Sequence, residues 1–108
     1  MLEICYENIQ QETLKTIDLV IVDFYATWCG PCKKVAQELE KLHESNPEYF
    51  IVKVNVEEDG MQSYIEANGI QSLPTVKVFY KEKEIYKTIG YKPDFLTSLK
   101  EMITKVYA

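Results

Sequence analysis

Two cysteines separated by two residues, Cys29 and Cys32, are the part of this sequence best equipped for chemistry. They follow a run rich in β-branched and aromatic residues, 19–26 (LVIVDFYA), and precede Val35, Leu39 and Leu42 at helical spacing, so the pair falls where a strand ends and a helix begins. The unpaired N–H groups and dipole of a helix N-terminus favour negative charge, which raises the fraction of Cys29 present as attacking thiolate. Cys32, three residues on, lies on the same helical face. A mixed disulfide between Cys29 and a substrate can then be resolved by Cys32 from within. Two blander readings compete: inert buried thiols, and half of a zinc site. Structural zinc takes about four N or S ligands, and beyond the pair the chain offers Cys5 and His43 at no zinc-finger spacing, so metal is not expected.

Residues 19–26 are apolar on both faces, the pattern of a central strand covered by helices on each side. Its one charge, Asp23, is therefore conspicuous. Desolvation should raise the pKa of a carboxylate placed there, letting it exchange a proton with Cys32 near neutrality, directly or through a water. The alternative is an aspartate satisfied by backbone N–H groups at a strand end. The helix after the cysteines carries Pro31 in its first turn and should end before Asn46-Pro47. Residues 50–56 alternate as a second interior strand, and residues 61–67 form a short helix closed by Asn68-Gly69. Residues 74–80 and 84–89 read as an antiparallel hairpin whose charged turn lacks glycine. Residues 93–106 place Phe95, Leu99, Met102 and Val106 on one face of a closing helix. Near the start, residues 2–5 suit a short edge strand and residues 8–17 a weak helix. The pattern is α/β with a mixed sheet.

At 108 residues and 46% hydrophobic composition, with no repeat, linker or low-complexity tract, the chain should be one domain spanning residues 1–108. Twelve basic residues, all lysine, against 17 acidic ones give a net charge of -5, which repels phosphate backbones and argues against nucleic acid as a partner. The longest uninterrupted apolar run, residues 19–22, is too short to span a membrane. Residues 1–11 lack the basic flank and apolar run of a signal peptide, and three cysteines are an odd set for a disulfide-stapled secreted scaffold. A cytoplasmic protein is expected.

Residues 22–33 (VDFYATWCGPCK) resemble the active-site signature of the thioredoxin family, and the resemblance extends along the chain. Leu73-Pro74-Thr75 sits where the family carries its cis-proline segment, and Gly90 matches the glycine after the last strand. The resemblance implies a thioredoxin fold: a central mixed five-stranded sheet flanked by about four helices on both faces. It also implies a protein disulfide reductase with Cys29 as nucleophile and Cys32 as resolving thiol. Asp23 corresponds to the family's buried aspartate and Lys53 to the lysine near it, although Lys53 also suits an ordinary strand-edge position. Pro74 would hold a cis bond facing the disulfide and expose backbone groups of Leu73 to a substrate strand, the alternative being a trans turn proline. Trp28, Gly30, Pro31, Leu73, Ile89 and Gly90 would form an apolar docking patch for partners, unless Trp28 is plain core.

No bound cofactor is implied. Electrons would come from NADPH through a thioredoxin reductase, the partners being that enzyme and disulfide-containing proteins, with the chain acting as a monomer. Two positions depart from the family's usual pattern: Tyr25 where a tryptophan is frequent, and Gln37 where the long helix often has a proline. A disulfide oxidant or isomerase is a competing reading, disfavoured because Gly30-Pro31 places no histidine beside Cys32. A docking module indifferent to its thiols is another, disfavoured by Asp23, Cys29, Cys32 and Pro74 occurring together.

Overall fold

A strand buried on both sides must lie inside a sheet, and the sheet must be covered by helices. The computed structural model describes residues 18–107 and the backbone of residues 2–3. Its elements are β1 (Leu2–Glu3), β2 (Leu19–Tyr25), α1 (Gly30–Ser45), β3 (Phe50–Asn55), α2 (Gln62–Ala67), β4 (Thr75–Tyr80), β5 (Lys83–Ile89) and α3 (Phe95–Tyr107). The five strands form one sheet in the order β1-β3-β2-β4-β5. β3 runs parallel to β1 and β2, whereas β4 is antiparallel to β2 and β5. The mixed five-stranded sheet is as expected. Three of the roughly four expected helices lie among the described residues. The helix expected over residues 8–17, the remainder of the edge strand expected over residues 2–5, and Cys5 lie outside them.

Alternation along β2 divides the interior. Leu19 and Ile21 face α1 and α3, packing with Val35, Leu39 and Leu42 of the first helix and Phe95, Leu99 and Ile103 of the last. Val20, Val22 and Phe24 face the opposite side, where Met61, Tyr64 and Ile65 of the α2 region cover them. Each fully buried aliphatic side chain contributes about 2 kcal/mol through removal from water. The spacing of Val35, Leu39 and Leu42 is what turns α1 against the sheet, and α1 ends at Asn46, whose N–H makes a last helical bond to Leu42 O at 2.8 Å but whose backbone (φ −136°, ψ 73°) leaves the helix before Pro47. α2, only six residues long, stops at Asn68, after which Gly69 takes a φ of +66° that a side chain would disfavour. Among the described residues no helix is long and apolar enough to cross a membrane.

The structure corrects several boundaries and one face: β2 and β3 each end one residue earlier than expected, α2 begins at Gln62 and α3 at Phe95. β4 begins at Thr75 rather than at residue 74, since Pro74 has no N–H to give a ladder. β5 begins one residue earlier than expected, at Lys83. The hairpin between them turns on Lys81 and Glu82, both with positive φ (50° and 70°), so two non-glycine residues occupy a primed-type turn at a local cost. A register shift opposite Val78 and Phe79 leaves Ile85 as the extra residue of a bulge, and Ile85 and Tyr86 both pack on the α1/α3 side. In α3 the buried face is Phe95, Leu99 and Ile103, not the face through Met102 and Val106, which are partly exposed. Met102 and Ile103 are both within reach of the Phe95–Leu99 stripe by spacing, and Ile103 is the one that joins the cluster with Leu39 and Leu42. Ile103→Ala should therefore lower stability by about 3 kcal/mol in urea unfolding and Met102→Ala by under about 1 kcal/mol. Equal losses would place the buried face of α3 where the spacing first put it.

Candidate active site

At the carboxyl end of β2 the chain turns through residues 26–29 into α1, the Cys29 N–H bonding back to Ala26 O at 3.2 Å. Cys29 is the N-cap of α1, in extended conformation (φ −83°, ψ 112°), and its sulfur accepts the N–H of Cys32 at 3.2 Å. The first turn of α1 contains no acidic residue, so no carboxylate competes with sulfur for the positive end of the helix. Pro31 occupies a first-turn position where its missing N–H costs nothing. Cys29 and Cys32 are joined as a disulfide, their Cα atoms 5.3 Å apart, and both are nearly enclosed, at 4% and 3% exposure. Ala26, Tyr25, Val56 and Leu73 pack around the two sulfurs.

Behind the disulfide lies a cavity of about 210 Å³ lined by Asp23, Tyr25, Ala26, Thr27, Cys32, Lys33, Ala36 and Lys53. Asp23 has no exposed surface, and its register partner on β3 is Lys53. The parallel pairing of β2 with β3 thus brings together two residues 30 positions apart in the chain, and it sets both beside Cys32. The Lys53 ammonium stands 4.6 Å from the centre of the Tyr25 ring, a cation–π contact that the sequence reading did not anticipate. The cavity is large enough to admit water, and Asp23, Thr27 and Lys53 supply polar groups among walls that are mostly apolar.

On the other side of the disulfide, the Leu73–Pro74 peptide is cis, and Leu73 packs on the sulfur cluster. Pro74 itself is buried, and its carbonyl accepts the N–H of Gly90 at 2.8 Å. Gly90 adopts φ +79°, a conformation available to glycine at little cost, at the point where the chain leaves β5. Thr75 Oγ1 donates to Ser72 O at 2.7 Å, pinning the same segment from the sheet side. Trp28 is 69% exposed and Ile89 50% exposed, so Trp28 is not core. A Cβ on Gly30 would meet nothing within 4 Å, so packing does not demand glycine there.

All the candidate residues therefore gather at one edge of the sheet: Asp23 and Lys53 behind the cysteines, Leu73 and Pro74 across from them, and Ile89 beside Gly90 at the end of the neighbouring strand. Lys77 was missed. It is buried on the α2 face of β4, its ammonium 2.7 Å from Glu84 Oε1 and 2.7 Å from Asn68 O. The available signal was a lysine within TVKVFY, a strand otherwise apolar or β-branched and buried on both faces. Among the described residues no three His, Cys, Asp or Glu side chains are grouped to hold a metal.

Comparison with known proteins bears on this arrangement. The family model named Thioredoxin matches residues 1–105. Thioredoxin-1 of Saccharomyces cerevisiae is 43% identical over 75 residues, covering 69% of this chain and 71% of that one. The thioredoxin of Listeria monocytogenes is 40% identical over 105 residues, 95% of either chain. The solved structure of Plasmodium falciparum thioredoxin superimposes with a TM-score of 0.82 at 30% identity, covering 100% of both chains.

The N-cap role of the Cys29 sulfur is separable from the disulfide. Cys29→Ser and Cys29→Ala both abolish the crosslink, but serine keeps an acceptor for the Cys32 N–H. The serine variant should be the more stable of the two by about 1 kcal/mol in urea unfolding. Equal stability would mean that the cap contributes nothing.

Proposed function

The chain belongs to the thioredoxin family, and from that premise we propose that it works as a cytoplasmic reductant of protein disulfides, recharged by a thioredoxin reductase with electrons from NADPH. Its activity is thiol–disulfide exchange, and the pair that performs it is Cys29 and Cys32. The observation that carries the reading is the sulfur at a helix N-cap, already linked to the resolving cysteine one turn away.

In the reduced chain the Cys29 thiolate, favoured by the α1 N-terminus, attacks one sulfur of a substrate disulfide. The substrate S–S bond breaks, a mixed disulfide forms, and the leaving sulfur departs as a thiolate that takes a proton from solvent. Cys32 then gives its proton to the Asp23 carboxylate through the cavity and attacks the Cys29 sulfur. The intermolecular bond breaks, the second substrate sulfur leaves as a thiolate that takes a proton from solvent, and Cys29–Cys32 is left oxidised. Two electrons have moved to the substrate. Burial of Asp23 suits it to hold that proton, and Lys53, held over Tyr25, places a positive charge at the wall of the same cavity.

The substrate chain lies across Trp28, Gly30, Pro31, Ile89 and Gly90 in this reading, pairing with backbone groups at Leu73 before Pro74. Exposure of Trp28 and Ile89 supports it, because apolar side chains left in water beside a reactive pair are suited to brief docking. One domain spanning residues 1–108 and acting as a monomer suffices for this cycle, and it needs no bound cofactor. A reductant of this kind belongs in a compartment whose thiols are kept reduced.

Equilibration with a dithiothreitol redox couple, read by Trp28 fluorescence, should give the Cys29–Cys32 pair a reduction potential below that of the glutathione couple. A value above it would make the protein an oxidant or isomerase, and failure to form the disulfide would leave a docking module. Asp23→Asn, which removes the proton acceptor but keeps the side-chain shape, should slow insulin reduction at neutral pH by roughly tenfold or more. A rate equal to wild type would remove Asp23 from the mechanism.

A further inference from the structure

Lys77 is a cation in an apolar layer. It lies on the α2 side of β4, between Thr75 and Phe79 on the same strand face, with about 5% of its side chain exposed. Burial of an ammonium is costly unless its hydrogen bonds are met, and here two partners meet them. One is Glu84 of β5, at 2.7 Å, brought to this face of the sheet by the bulge at Ile85. The other is the carbonyl of Asn68, also at 2.7 Å.

Asn68 is the C-cap of α2, where unsatisfied carbonyls favour a cation. α2 is short, six residues with no side-chain cap at its N-terminus, and its apolar anchors, Met61 at the N-cap and Tyr64 and Ile65 within the helix, lie ahead of its C-terminal end. From Asn68 the chain needs only residues 69–73 to reach Pro74. That connection is tied at its far end by Thr75 Oγ1 to Ser72 O and by Gly90 N to Pro74 O. At its near end the side-chain tie from the sheet comes from Lys77.

The geometry points to Lys77 as a positioning residue for polypeptide substrates: its ammonium, anchored by Glu84, pins the end of α2 and so sets where residues 72–74 lie relative to Cys29. This rests on the reading of those residues as the segment that pairs with a substrate strand. A polypeptide disulfide must lie along that segment, whereas a small disulfide needs only the sulfurs. Lys77 therefore governs docking and leaves the chemistry at Cys29 untouched.

The test compares insulin with hydroxyethyl disulfide as substrates of the full chain, with dithiothreitol as regenerating reductant. Lys77→Met should raise KM for insulin about fivefold or more, with kcat and the rate on hydroxyethyl disulfide within about twofold of wild type. An unchanged insulin KM overturns the proposal. Equal loss on both substrates overturns it too, because the defect then lies at the thiols. Should Lys77→Met not fold, Glu84→Gln changes a residue 40% exposed and is read the same way. Hydrogen exchange on that variant should show faster exchange at residues 69–73 with β2 unaffected, and unchanged protection there overturns the proposal. Inactivity of the wild-type chain on both disulfides would overturn the reductase reading and this proposal with it, an outcome distinct from an unaltered KM in an active chain.

Discussion

The N-terminus of α1 ends on sulfur, and the rest of the molecule serves that one placement. A helix presents unsatisfied N–H groups at its start, and something must accept them. Here the acceptor is Cys29, held at the carboxyl end of the central strand, with the Cys32 N–H directed at its sulfur. The same field that satisfies the cap stabilises negative charge on that atom once the disulfide is opened. The α1 stripe of Val35, Leu39 and Leu42 seats the helix on the sheet, so the position of the sulfur is decided by packing several turns away.

The parts of this design that were legible in the sequence are those governed by periodicity or by a short local motif. The strand expected over residues 19–26, the amphipathic stripe of α1 and the cysteine pair each carry their signal within a dozen residues, and the structure departs from them only in ending the strand at Tyr25. The α3 face was misjudged because Met102 and Ile103 are adjacent and both apolar, and local spacing does not say which will meet the sheet; packing against Leu39 and Leu42 selects Ile103. The hairpin turn was open because Lys81 and Glu82 have no intrinsic preference for positive φ, and the strands on either side impose it. The proximity of Asp23 and Lys53 followed from the family resemblance, but the pairing that produces it is the β2–β3 register, which no local window contains. Lys77 was illegible for a different reason: a lysine in a strand reads as an exposed or edge residue, and only a bulge on β5 and the end of α2 supply the partners that let it be buried.

The edge that carries the disulfide is also where burial is relaxed. Cys29 and Cys32 are nearly enclosed, while Trp28 next to them and Ile89 across from them stand in water. Under the docking proposed above, each contact made with these two side chains would withdraw hydrocarbon from water. In the cycle proposed above every substrate must be released, which a small patch favours. Gly30 fits the same logic, since packing leaves room for a side chain that the surface does without.

Among the described residues two charged groups sit in the interior, one on each side of the sheet. Asp23 faces α1 in the cavity behind Cys32, and Lys77 faces α2 behind the segment leading to Pro74. Buried charge is a poor source of stability, because desolvation offsets most of what pairing returns, and apolar residues of similar volume often hold a fold equally well. Stability therefore does not account for either group. What distinguishes a charge from a hydrocarbon in these places is direction: an ammonium selects one carbonyl and one carboxylate, and a carboxylate selects a proton donor. On this argument the two sides of the sheet divide the work proposed for the site, the α1 side handling the proton that the sulfurs exchange and the α2 side fixing the backbone on which the substrate lies. The disulfide borders both, lining the Asp23 cavity through Cys32 and packing with Leu73 on the other side.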